Sequence, residues 1–169
     1  MKPRPIPLLC FALLLALNPS CRPQTAAPRP TPIDAATATA EALPPYIGPA
    51  VSWIEVDLTR QLVVLHEGGS IIAKLPASSG VAGHSTPPGL YRVQMMEKGP
   101  DENVPGVFVS DILIFHMGKE LGIHSMPMNA EGQVLDPTLG RPSTGGCVRV
   151  GDSARVFEFA ELGMRIWVH

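Results

Sequence analysis

The chain has 169 residues, 13 Lys and Arg against 15 Asp and Glu, and a net charge of −2. That is room for one ordinary domain. From Tyr46 onward nine cations face thirteen acids, a net of −4, with the remaining cations all in the first 29 residues, so nothing in the charge pattern supports nucleic acid as the partner.

Met1 to Leu17, "MKPRPIPLLCFALLLAL", sets two cations before a short apolar run, the layout of a secretory signal and too short to span a bilayer comfortably. Cys21 follows "LNPS". It is read in two ways: as a lipidated N-terminus that anchors the protein to a membrane, or as part of a segment removed on export. Residues 1–21 are therefore assigned to the signal. Residues 22–45 are Pro, Ala and Thr with almost no large apolar side chain, which cannot offset the entropy of ordering and reads as a tether. Residues 46–169 form the domain.

Strand signals dominate that domain. "VSWIEVDL" and "QLVVLHE" meet at a "TR" corner, and "EGGS" turns into "IIAKLPAS", so residues 51–78 read as a meander. Further strands are expected at "GLYRVQMM", "VFVSDILIFH", "LGIHS" and "MRIWV". One helix is expected, Ala154 to Leu162, with Asp152 or Ser153 as N-cap and Gly163 as its stop.

The chemistry-bearing stretch is "STGGCVRV", Ser143 to Val150. With Cys10 inside the signal and Cys21 removed or lipidated, Cys147 is left without a partner in an exported setting, where thiols normally pair. Intermolecular pairing, a reactive nucleophile and a merely buried cysteine all fit that count. A free thiol is only about 3% ionised at pH 7, so a nucleophile would need Arg149 or an imidazole to lower its pKa. Gly145 and Gly146 either make a tight turn or let backbone N–H groups face a substrate carbonyl. His66, His84 and His169 are expected to be exposed and inert. His116 and His124, in "FHMGKELGIHS", end apolar strands where a ring can face a cleft. A zinc site from His116, His124 and Cys147, with Asp136 recruited, lacks ligand spacing, and no G-x-S-x-G elbow is present.

"GIHS" at 122–125 followed by "LGRPSTGGCVRV" at 139–150 resembles the signature of the L,D-transpeptidase (YkuD-type) catalytic domain. "IEVDLTRQLVVLHEGGSIIAKLPASSG" and "STPPGLYRV" are similar to its opening meander and its Thr-Pro loop. The resemblance implies a mostly β fold, a mixed-sheet sandwich with a short helix near the C-terminus. It also implies an envelope enzyme without cofactor or metal, acting on peptidoglycan stem peptides. Cys147 would then be the nucleophile and His124 its base, oriented by the Ser125 carbonyl. The N–H groups of Gly146 and Cys147 would hold the oxyanion, Arg149 would organise the loop or meet a substrate carboxylate, and Thr144 and His116 would support the site. Gly145 departs from the family pattern, where a polar residue is usual. Transfer to water, or a domain of this fold that binds peptidoglycan with little catalysis, are the alternatives.

Overall fold

The computed structural model describes residues 51–169; the expected signal, Cys21 and the tether lie outside them. The chain runs β1 (Trp53–Asp57), β2 (Leu62–Glu67), β3 (Ser70–Ser78), β4 (Gly89–Arg92), β5 (Met95–Glu97), β6 (Asp101–Val104), β7 (Val107–Val109), β8 (Ile112–His116), a 3₁₀ turn (Met117–Lys119), β9 (Leu121–His124), β10 (Val148–Val150), α1 (Ser153–Phe159) and β11 (Arg165–Val168). Among these residues no helix is long and apolar enough to cross a membrane.

Nine strands form one sheet in the order β4-β11-β1-β2-β3-β10-β9-β8-β5, and β6 and β7 form a separate hairpin. The sheet is mixed, because β11 lies parallel to β1 and β10 parallel to β9. Two features fold it over. In β3, residues up to Pro76 pair with β2 while Ala77 and Ser78 pair with β10. The two outer strands, β4 and β5, are separated only by Val93 and Gln94, so one continuous segment serves both ends of the sheet. Backbone bonds fix the crossing: Val93 donates to Met164 and Gln94 to Ile114. Ile54, Val56, Val63 and Ile166 from one half then meet Leu113, Phe115, Ile123 and Val148 from the other, all essentially solvent-free. Each such side chain contributes about 1.5–3 kcal/mol of burial. The fold is the expected mostly β, mixed-sheet architecture with one short helix.

Several details differ from the sequence reading. "VFVSDILIFH" is two strands, broken at Asp111, whose φ is 54°. That residue is held from outside its own strand, by Lys98 at 2.7 Å and the Ser153 hydroxyl at 2.7 Å. Helix α1 has Asp152 as N-cap but stops at Phe159, short of Leu162, because Ala160 is already extended. Gly163 and Met164 exchange backbone bonds with Val93, and this ladder displaces the last helical turn.

His66 and His169 are both held in structural contacts rather than free in solvent. Their Nε2 atoms lie 2.7 and 3.1 Å from the two carboxylate oxygens of Glu55, and each ring stacks on a tryptophan, Trp53 or Trp167. The expected exposure of His66 is wrong: only 8% of it is exposed. His84 is exposed, as expected.

Candidate active site

Cys147 stands at the entrance to β10, a three-residue strand too short for its alternation to show in sequence. The parallel ladder sets Val148 against Ile123 and Arg149 against His124. Val148 and Ile123 fill the core, so Arg149 and His124 emerge on the opposite face. Cys147, one residue earlier, comes level with Gly122. Its thiol donates to the Glu120 carbonyl at 3.8 Å. Glu120 can present that carbonyl because it takes a left-handed φ of 52° after the 3₁₀ turn. Cys147 and His124 line the same cavity of about 290 Å³.

The His124 ring is oriented by its own chain. Nδ1 lies 2.7 Å from the Ser125 carbonyl oxygen, so the proton sits on Nδ1 and Nε2 carries the lone pair. Ser125 is itself pinned, since its N–H donates to the Ser110 carbonyl and its hydroxyl accepts from the Ser110 N–H at 2.9 Å.

The expectation of a lowered thiol pKa is overturned. Burial pushes the Cys147 thiol up, only partly offset by the Gly122 N–H. Burial likewise pushes His124 below the ordinary imidazole value, the Ser125 bond opposing this and the Arg149 charge adding to it. The resting pair is therefore neutral thiol and neutral imidazole, because a desolvated cleft penalises both charges. Iodoacetamide should accordingly alkylate Cys147 slowly near pH 6, with a rate midpoint above that of a free cysteine. Fast labelling at pH 6 would restore the ion pair.

Thr144 closes the loop upon itself. Its hydroxyl donates to the Cys147 carbonyl at 2.6 Å and accepts the Gly146 N–H at 3.2 Å. The Gly146 N–H is thus engaged within the loop, which corrects its assignment to an oxyanion hole and leaves the Cys147 N–H. Gly146 is required for shape: its φ is +126°, and a Cβ would come 3.0 Å from Leu121. Gly145 is exposed with open space beside it, so no steric need keeps it glycine.

Arg149, 7% exposed, donates to Asp136 Oδ2 at 2.6 Å and to the Thr138 carbonyl at 3.3 Å. Of the roles considered for it, the contacts are those of loop organisation. Hydrogen bonding from Thr138, and then the Arg149 guanidinium, hold the Asp136 carboxyl far below the usual carboxylate range. Asp136 is thus committed to Arg149. His116 packs beside Tyr91, ring centroids 5.9 Å apart, and is not among the residues lining the cavity with Cys147.

Thr86, quoted above within the Thr-Pro loop but given no role, is a staple. Only 2% exposed, it accepts from the Gly80 N–H at 3.0 Å and donates to the Gly146 carbonyl at 2.7 Å. Thr86→Val should strand both backbone groups and cost about 1–3 kcal/mol, read from the urea midpoint. An unchanged midpoint would remove the staple.

The folded-over mixed sheet sets a thiol and a carbonyl-locked imidazole on neighbouring parallel strands, the two groups that a cysteine nucleophile and its base would require. The family described as YkuD, the L,D-transpeptidase catalytic domain, matches residues 51–168. The chain belongs to that family. No curated protein sequence matches it. Among solved structures, similar chains include an L,D-transpeptidase from Mycobacterium smegmatis (19% identity, TM-score 0.56, covering 70% of this chain and 58% of that one). Another is an L,D-transpeptidase from Mycobacterium tuberculosis H37Rv (18%, TM-score 0.57, 70% and 57%). A third is the L,D-transpeptidase LdtMt1 in complex with imipenem (16%, TM-score 0.56, 70% and 59%). The chain spans less than two thirds of the length of these proteins.

Proposed function

We propose that the protein is a cell-envelope L,D-transpeptidase acting on peptidoglycan tetrapeptide stems. The observation that carries this reading is the placement of Cys147 and His124 in one cavity, with His124 Nδ1 held by the Ser125 carbonyl. His124 Nε2 takes the thiol proton as sulfur attacks the carbonyl between the stem's diamino acid and its terminal D-alanine. The tetrahedral oxyanion is met by the Cys147 N–H. Collapse breaks the C–N bond, the proton passes to the departing D-alanine amine, and a thioester remains. A neutral pair suits this sequence, because charge is created only as the bond forms. An amine of a second stem then attacks the thioester, His124 taking its proton and returning it to the thiolate.

In this reading residues 1–21 export the chain and residues 22–45 tether the domain, with Cys21 as the lipid anchor. Cys21→Ala should then release the protein from the membrane fraction. The solved relative in complex with imipenem makes a carbapenem a suitable acylating probe.

The test is intact-mass spectrometry of the protein after incubation with purified tetrapeptide muropeptides. A mass gain equal to the stem less D-alanine, together with cross-linked dimers, is expected. Release of D-alanine with tripeptide alone would make it a carboxypeptidase. No adduct with either stem or carbapenem would leave a peptidoglycan-binding domain.

A further inference from the structure

The register of β11 against β4 sets Arg165 directly opposite Arg92. Ile166 and Val168 point into the core, so Arg165 faces outward, and Arg92 is exposed beside it. Like charges in directly opposed positions destabilise a sheet. Among the described residues neither guanidinium has an ion-pair partner; Arg92 donates one Nη1 bond to the Gly163 carbonyl at 2.7 Å. Arg165 is less well served, because its Nη1 is shielded from solvent and has no acceptor. A guanidinium donates only, so nothing within the side chain can relieve this. Both arginines, with Leu90, Tyr91 and Gln94, line a cleft of about 450 Å³, and among the described residues none that line it is acidic.

We propose that this cleft is an oxyanion-binding site, in which a carboxylate or phosphate group bridges Arg165 and Arg92. One anion bridging the two guanidinium groups removes the cross-strand repulsion. Guanidinium forks match the paired oxygens of both anions. The cleft is separate from the cavity at Cys147 and does not depend on the function proposed for that cavity. The two adjoin, however. Gln94 lines the cleft and its neighbour Met95 lines the cavity. The Gln94 side-chain carbonyl also accepts from the N–H of Met117, which begins the turn leading to Glu120.

The experiment uses the full chain and its Arg165→Gln, Arg92→Gln and double variants. Thermal unfolding is followed as sodium phosphate replaces sodium chloride at constant ionic strength. The wild-type Tm should rise by about 4 °C at about 50 mM phosphate, and that of each variant by less than about 1 °C. In chloride alone Arg165→Gln should be at least as stable as wild type, since the repulsion is gone. An equal phosphate gain in wild type and double variant would be a general salt effect and would overturn the site. NMR of the arginine side-chain N–H groups supplies a reading independent of stability, with a saturable shift at Arg165 expected. A glycerol-phosphate oligomer and a tetrapeptide stem are then compared as phosphate and carboxylate sources. Saturation by either supports the site and names its ligand. A response to inorganic phosphate and to neither of these would mean an adventitious ion only, and would overturn the proposal.

Discussion

Cys147→Ala is expected to reduce acylation by tetrapeptide stems or a carbapenem by at least about a thousandfold, to the level of the protein-free control. The loss should be chemical, because the bonds that shape the loop are made by the Cys147 backbone carbonyl and by Thr144 and Thr86, not by the thiol. The variant should therefore keep the wild-type circular dichroism spectrum and bind stem peptide. Cys147→Ser should be nearly as inactive, since a neutral imidazole is a poor match for a serine hydroxyl without further activation. Retained adduct formation in a folded Cys147→Ala protein would end the nucleophile assignment.

His124→Ala should slow acylation by about 10²- to 10⁴-fold at neutral pH, and its pH profile should change shape. A general base must be neutral to accept a proton, and burial holds the His124 pKa below the ordinary imidazole value. The wild-type rate should therefore persist on acidification through the usual imidazole range and fall only below it. Without the base, reaction must wait for spontaneous ionisation of a thiol whose pKa is raised. The variant rate should thus climb with pH and approach wild type only above the normal cysteine range. Identical profiles for the two proteins would assign the base elsewhere. His116 would be a poor replacement, as its ring is beside Tyr91.

The legible parts of the site were those carried by residue identity: a lone thiol, a histidine at a strand end, and a glycine loop in which Gly146 takes a conformation that favours glycine. The protonation states were not legible, because they depend on how much protein surrounds the pair, and neighbours in sequence do not report that. Arg149 suggested a cation available to the thiol; in three dimensions its charge is paired with Asp136. The Gly146 N–H was misassigned for a related reason, since its acceptor, the Thr144 hydroxyl, is two residues away and wins the bond locally. In the fold, strands with clear alternation were visible. The break at Asp111 was not, because Lys98 and Ser153 impose it from other parts of the chain.

The sheet order has a consequence for how the domain comes into being. β11, the last strand, lies between β4 and β1, with Trp53 level with Arg165. Neither of its neighbours can finish its ladder until nearly the whole sequence is available. Such pairings close very large loops before any contact repays the entropy, which makes folding slow and places it late. During synthesis the meander β1-β2-β3 can form, but Ile54 and Val56 must await Ile166 and Val168 to be covered. A chain released in full before it folds thus loses little, and one truncated ahead of Arg165 would keep the thiol and imidazole in its sequence while lacking the strand that lets the sheet fold over beneath them.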